Sequence, residues 1–143
     1  MTFPSSFTFF AEGTPRPQGS KRAFLRSGRI VLVEANPELK AWRETIALAA
    51  KMQIHADLVH PSFNEPVAVQ LLFVMPKPKT VQRVLPSVAP DLDKLCRAVF
   101  DALTDAQVWV DDSLACKLTA SKVYASGAAL PGVYVTVTKL LEE

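Results

Sequence analysis

The fold is decided by residues 90–112, which read Pro90-Asp-Leu-Asp-Lys-Leu-Cys-Arg-Ala-Val-Phe-Asp-Ala-Leu-Thr-Asp-Ala-Gln-Val-Trp-Val-Asp-Asp112 and contain six aspartates. The apolar side chains recur at helical spacing, at Leu92, Leu95, Cys96, Val99, Phe100 and Leu103. This spacing predicts an amphipathic helix over residues 91–104 with its apolar stripe facing a core. Pro90 prevents a helix from entering from the preceding segment, and Asp91 occupies the position of an N-cap whose carboxylate accepts from the first-turn amides.

The aspartates of this segment are predicted to meet at the start of the helix. Asp93, Arg97 and Asp101 follow one another at intervals of four residues on the polar face of the helix. Asp91 and Asp93 are two residues apart, so they can converge only at the N-terminus of the helix. A turn at residues 104–107 leads to a predicted short strand, 108–110. That strand would return Asp111 and Asp112 to the same place.

Clustered carboxylates repel one another, and a hard divalent cation with oxygen ligands relieves that repulsion. Mg2+ fits best, because Mg2+ binds one or two carboxylates and keeps water ligands that a phosphate substrate can replace. Mn2+ is the expected substitute. A calcium loop would place acids at alternate positions around a central glycine, which this segment lacks. The spacing alone leaves a second interpretation open, in which Asp91 is only a cap, Asp93 and Arg97 form a solvated pair and Asp111-Asp112 is a turn.

The pattern Asp91-Leu-Asp-Lys-Leu-Cys-Arg-Ala-Val-Phe-Asp-Ala-Leu103, followed by Trp109-Val-Asp-Asp-Ser113, resembles the signature of the RusA family of Holliday junction resolvases. Residues 13–22, Gly-Thr-Pro-Arg-Pro-Gln-Gly-Ser-Lys-Arg, resemble more loosely the proline-containing basic loop near the start of that family.

This resemblance implies a metal-dependent endonuclease that acts as a homodimer on branched DNA. It implies that Asp91, Asp93 and Asp112 bind the catalytic metal, with Asp111 beside them, and that Arg97 is the important basic residue. The chain departs from the family at Lys94, where Asn is common, and at Arg97, where Lys is frequent. Neither departure removes a metal ligand, but both bear on phosphate contacts and cleavage preference.

Two further segments are basic, although the net charge is only +2. Residues 16–29 carry five cations and no acid, and their prolines and glycines predict a loop. A second proline-rich loop, residues 76–90, leads directly to Asp91. The expected DNA contacts are Lys94 and the cations of these two loops: Arg16, Lys21, Arg22, Arg26, Arg29, Lys77, Lys79 and Arg83. The alternative is that both loops are ordinary solvated surface.

Length and composition indicate a single domain over residues 1–143 with a globular core. The chain has no signal-like start and no run of about 18 apolar residues, so we expect a cytoplasmic protein with no membrane segment. Cys96 and Cys116 are predicted to be reduced, buried thiols.

The remaining elements predict an α+β fold with a mixed or mainly antiparallel sheet and two helices, in the order β-β-α-β-α-β-β-β. Residues 6–11 and 29–34 are predicted to pair as a wide hairpin around the first basic loop. A long helix begins after Asn36-Pro37 and ends near residue 58. The strand 67–75 should be central in the sheet, and strands over 113–125 and 133–138 close the fold.

We therefore predict a Mg2+-dependent endodeoxyribonuclease that resolves Holliday junctions in recombination and repair. The cation would activate water and stabilise the leaving oxygen, and Arg97 would neutralise charge in the transition state. Two alternatives stay open at this stage. One is a junction-binding protein without cleavage; the other, disfavoured by the missing glycine-rich phosphate loop, is a metal-dependent phosphoryl-transfer enzyme on nucleotides.

Overall fold

The computed structural model describes residues 5–19, 21–34 and 37–140. Its strands are β1 (Ser6–Glu12), β2 (Lys21–Arg26), β3 (Arg29–Glu34), β4 (Val67–Met75), β5 (Ala115–Tyr124) and β6 (Gly132–Lys139). Its helices are α1 (Pro37–Asp57) and α2 (Leu92–Asp105), and a 3-10 helix covers Asp112–Leu114. The α+β class with two helices is confirmed.

The main sheet has four strands in the order β1-β6-β4-β5. β4 lies inside it, antiparallel to β6 and parallel to β5, so the predictions of a central strand and a mixed sheet are confirmed. Five of the nine β4 side chains belong to the core, in keeping with its almost continuous apolar sequence. Because parallel neighbours require a long crossover, α2 and the loops around it fill the connection from β4 to β5.

A two-stranded sheet formed by β2 and β3 corrects the predicted wide hairpin. β1 pairs with β6 at the other end of the chain, not with β3. Residues 21–26, predicted as loop, are the strand β2, and it turns into β3 through Ser27 and Gly28. Both turn residues have positive φ, 52° and 78°, which suits a tight hairpin turn better than the open loop that the basic residues had suggested.

Both helices bury one stripe in a single core shared with the main sheet. α1 contributes Leu39, Trp42, Ile46, Ala47 and Ala50, and α2 contributes Leu95, Cys96, Ala98, Val99, Ala102 and Leu103. α1 packs on β1 and on α2, and Arg43 of α1 donates to Asp105 of α2 over 3.0 Å. The helical periods of both segments are therefore confirmed, and α2 is fixed at both its apolar face and its carboxyl end.

Three local predictions need correction. Residues 108–110 do not form a regular strand; Trp109 makes an isolated bridge to Phe63. The strand predicted from residue 113 begins at Ala115, because a 3-10 turn precedes it. Cys116 is exposed, since β5 is an edge strand; Cys96 is buried as predicted, and both thiols are free. The predicted cap at Asn36 lies outside the described residues.

Within the described ranges, no helix has the length and apolar character needed to cross a membrane.

Candidate active site

Asp91 occupies the N-cap position of α2, but its side chain does not cap the helix. Its backbone is extended, at φ −69° and ψ 138°, and the carboxylate makes no hydrogen bond to the first-turn amides. Instead Asp91 Oδ2 lies 3.7 Å from Lys94 Nζ, with both side chains about half exposed. The predicted position is therefore confirmed, whereas the predicted capping bond is wrong. Such an exposed pair is weak and easily rearranged.

The polar face of α2 lines a cavity of about 460 Å3, which we call the acidic cavity. Asp93, Arg97 and Asp101 all line it, as expected from their intervals of four residues. The other lining residues are Gln18, Cys96, Phe100, Asp112 and Leu118. The acidic cavity lies where the polar and apolar faces of α2 meet, since Cys96 and Phe100 lie at the edge of the apolar stripe.

Asp112 reaches this cavity from a different element through a sharp reversal after α2. Gln107 has a φ of +58°, and the Val108 amide returns to the Leu103 carbonyl over 3.0 Å. Trp109 is then buried edge-on against Phe100, with centroids 5.1 Å apart, and its Nε1 donates to Thr104. This anchored turn returns Asp112 to the side of α2 that carries Asp93, so the prediction that two elements supply the carboxylates is supported by the geometry.

Asp111 has a local role that the sequence did not reveal. Its Oδ2 accepts from the Ser113 amide over 3.0 Å and so caps the 3-10 helix that carries Asp112. Hydrogen bonds from Ser113, the side-chain bond first and the backbone bond next, lower the pKa of the Asp111 carboxyl. Neither Asp111 nor Asp91 lines the acidic cavity. The ionised Asp111 carboxylate therefore holds the turn that carries Asp112 in place.

Cys96 lines the acidic cavity, and its surroundings favour the protonated thiol over the nucleophilic thiolate. Burial, and secondly the negative charge of Asp93, raise the pKa of its thiol to about 11. Because the thiolate is the reactive form, covalent catalysis by this cysteine is disfavoured. The Cys96 side chain lies between the hydrophobic core and the acidic cavity.

Gln18 is the residue that sequence reasoning missed. Its backbone amide donates to the Lys94 carbonyl over 3.0 Å, which ties the segment 14–19 to the first turn of α2. Its side chain lines the acidic cavity, and its Oε1 is buried without a hydrogen-bond partner. A buried carbonyl oxygen with no partner is costly. The only sequence signal was its place in the proline-containing loop, which was interpreted through its cations.

The donor set fits a hard divalent cation. Asp93, Asp101 and Asp112 supply carboxylate oxygens around one cavity, and the unpartnered Gln18 Oε1 supplies a neutral oxygen beside them. As the side chains stand, no group of three or more His, Cys, Asp or Glu within the described segments is close enough to hold a metal. Mg2+ does not require such a cage, because one or two carboxylates together with waters and substrate phosphate suffice.

The predicted DNA-contact cations are spread over four parts of the chain. Arg16 forms an ion pair with Glu38 at 2.9 Å, and Lys94 pairs with Asp91. Arg26 and Arg29 are exposed beside the hairpin turn, and Lys77, Lys79 and Arg83 are exposed in the loop after β4. Lys21 and Arg22 belong to β2, but their side chains lie outside the described part of the structure.

A family model described as Endodeoxyribonuclease RusA matches residues 12–138, which include every element named above except parts of β1 and β6. This match covers the aspartate segment and the segment around Gln18, and it confirms the resemblance drawn from residues 91–113. No curated protein matches the chain at a significant level.

Proposed function

The chain belongs to the RusA family of endodeoxyribonucleases, and we propose that it resolves Holliday junctions by Mg2+-dependent hydrolysis, with the acidic cavity as its active site. The observation that carries this proposal is the joint lining of one cavity by Asp93 and Arg97 from α2 and by Asp112 from the turn that follows it. Carboxylates for a cation and a guanidinium for a phosphate are then presented on one surface.

Asp93 and Asp112 are the proposed principal ligands of the cation. A bound divalent cation would supply Lewis-acid stabilisation of the phosphate and would lower the pKa of an attacking water. Asp91 joins as the third ligand once its side chain leaves Lys94. Because that ion pair is exposed and long, its loss costs little.

Arg97 has the complementary role of stabilising negative charge on the phosphate. Among the described residues that line the acidic cavity, it carries the one positive charge. A guanidinium binds two phosphate oxygens at once, so it stabilises the transition state, where charge on those oxygens grows. Asp111 holds the backbone of Asp112 through Ser113, which keeps the second carboxylate in place.

The proposed DNA path follows Lys94 and the cations of the two basic segments. Lys94 lies on the first turn of α2, and Lys77, Lys79 and Arg83 lie in the loop leading towards that turn. The first basic segment contributes Arg16, Arg26 and Arg29, together with Lys21 and Arg22. Repeated phosphate contacts of this kind make affinity fall steeply as salt rises.

The test is cleavage of a labelled four-way junction with and without Mg2+, beside a linear duplex of the same sequence. We expect paired nicks only in the junction and only with the cation. Asp93→Asn and Asp112→Asn should each reduce the cleavage rate by about 100-fold or more while retaining junction binding, because they remove ligand charge and also reduce repulsion of phosphate. Asp91→Asn should behave in the same way.

Asp57→Asn provides a matched control, since Asp57 ends α1, accepts from Gln53 in its own helix and does not line the acidic cavity. It should cleave at the wild-type rate. Full activity in Asp93→Asn would contradict the proposed site, and binding without any Mg2+-dependent nicking by the wild type would indicate a junction-binding protein instead.

A further inference from the structure

A second cavity, of about 440 Å3, lies beside the active site and has a different chemical character. Its walls come from Thr14–Pro17, from the end of β4, from the loop after it and from the last residues of β5. Prolines from both loops, Met75 and the Tyr124 ring make most of that surface apolar. We call it the proline-lined cavity.

Three cations near this apolar interior have no acidic partner among the described residues, whereas a fourth, Arg16, pairs with Glu38. Arg83 Nη1 donates to the Tyr124 hydroxyl over 2.9 Å, and Lys77 Nζ lies 5.9 Å from the centre of the same ring. Lys122 Nζ donates to the carbonyls of Val88 and Pro90, over 2.7 and 2.8 Å. Within the described segments no ion pair involves any of the three. Their charges are held in place by neutral acceptors and stay available to an anion.

At two places in the sequence, residues that line one cavity are followed closely by residues that line the other. Pro17 lines the proline-lined cavity and the next residue, Gln18, lines the acidic cavity. Pro90 likewise lines the proline-lined cavity, and Asp93 lines the acidic cavity. The Gln18 to Lys94 backbone bond fastens these two places together. A nucleotide next to a phosphate held at Asp93 and Asp112 would then lie near the proline-lined cavity.

We propose that the proline-lined cavity receives one unstacked nucleobase of the junction, from a nucleotide next to the phosphate held in the acidic cavity. This inference rests on the proposed function. Apolar and aromatic walls suit the faces of a base, and the cations at the rim suit its flanking phosphates. The volume lies in the range of small-ligand sites. A base at a branch point has already lost regular stacking, so its removal from the helix costs less there than in a linear duplex.

This arrangement adds a reason why a branched substrate is preferred over a duplex. In a duplex the same base would have to unpair and unstack before it could enter, whereas the branch point offers it at lower cost. An uncharged proline-rich or apolar peptide would also fit the walls, but it gives no reason for three cations without acidic partners. The surface charge favours a polyanion.

The experiment measures junction affinity without divalent cation, using a set of junctions with a single abasic site at each of the nucleotides around the branch point. Wild type should lose about 10-fold in affinity at one position and little at the others. Val88→Trp places an indole in the cavity that Val88 lines, and Val84→Trp adds the same group to the same loop outside the cavity.

Val88→Trp should bind every junction of the set equally and should match the affinity of wild type for the penalised abasic junction. Val84→Trp should keep the position-specific penalty of wild type. Tyr124→Leu, which removes the aromatic wall, should also lose the penalty, and circular dichroism melting of each variant identifies any that has unfolded.

Absence of a position-specific penalty in wild type, or its persistence in folded Val88→Trp and Tyr124→Leu, would overturn the inference. Cleavage of the unmodified junction by wild type with Mg2+ is measured in parallel. Failure of that cleavage contradicts the proposed function, whereas intact cleavage without an abasic penalty contradicts only the role of the proline-lined cavity.

Discussion

At the scale of single residues, the chemistry of the acidic cavity depends on how one guanidinium is placed among carboxylates. Arg97 stands one turn after Asp93 and one turn before Asp101 on the same helix face. Oppositely charged neighbours at this spacing attract one another. Arg97 therefore lies in the acidic cavity between two carboxylates of its own helix, where its guanidinium can reach a phosphate held there.

Arg97→Ala should lower kcat by about 100-fold and change junction affinity by less than about 5-fold, because a charge matched to the transition state acts mainly on the chemical step. Single-turnover cleavage and metal-free binding separate the two effects. Arg97→Lys should recover part of the rate, and Lys51→Ala, on the exposed side of α1, should change neither. A loss confined to affinity would make Arg97 a positioning contact.

The two cysteines should differ sharply in reactivity. Cys116 is exposed on β5, whereas Cys96 is buried and the pKa of its thiol is raised to about 11. At pH 8, iodoacetamide should modify Cys116 and leave Cys96 largely unmodified until the protein is denatured, as peptide mass spectrometry would record. Cys116→Ser should abolish the rapid labelling. Rapid modification of Cys96 in the native protein would contradict the described burial.

The residues that could be predicted from sequence were those whose spacing carries information. Asp93, Arg97 and Asp101 were predicted to share a face because a helix repeats every 3.6 residues. Gln18 could not be predicted, since a single amide in a loop has no period and approaches α2 only through tertiary structure. The capping bond of Asp91 is absent for a local reason, since its exposed carboxylate lies near Lys94, and spacing alone does not distinguish the two partners.

Among the secondary-structure elements, β6 begins at the glycine whose position leaves the least room for a side chain. A Cβ added at Gly132 would collide with the Ala11 carbonyl oxygen and would come within 2.6 Å of the Phe10 ring. Backbone atoms of a paired strand cannot move aside without breaking the ladder between β1 and β6. A glycine is needed here for close approach of the two strands.

Gly132→Ala should destabilise the fold by about 1–3 kcal/mol, the usual range for overpacking, and should lower the melting temperature accordingly. Gly19→Ala is the matched control, because an added Cβ there meets no atom within 4 Å. Thermal denaturation followed by circular dichroism provides the measurement. Equal melting temperatures for the two variants would contradict the described contact.

Element prediction succeeded where periodicity was strong and failed where charge dominated. Both helices and β4 were predicted from apolar spacing that burial enforces. β2 was interpreted as loop because its cations and the flanking glycines suggested solvent, and the type of turn at Ser27-Gly28 was not recognised. The pairing of β1 with β6 could not be predicted, because it depends on contacts between opposite ends of the chain.

At the scale of the whole molecule, we expect the working unit to be a homodimer. A four-way junction presents two equivalent strands, and a two-fold dimer presents two identical sites. The hairpin of β2 and β3 provides material for an interface, since its cross-strand pair Leu25 and Ile30 is about three-quarters exposed. A hairpin alone is marginally stable in water.

Sedimentation should therefore report about twice the monomer mass of 15.7 kDa. Mixing wild type with excess Asp93→Asn should yield singly nicked junctions from heterodimers, because one active site per dimer remains. Mixing with excess Asp57→Asn should leave paired nicking unchanged. A monomer that makes paired nicks at nanomolar concentration would contradict the dimer.

The position of β6 between β1 and β4 has a consequence for the time course of folding. β6 is synthesised after all the other described strands and fills the middle of the sheet, so β1 and β4 have no partner between them until it emerges. Contacts between such distant parts of a chain form slowly, and unpaired strand edges invite association with other chains. The nascent protein is thus most vulnerable to aggregation just before residues 132–139 emerge, and its yield should depend on chaperones that act at that moment.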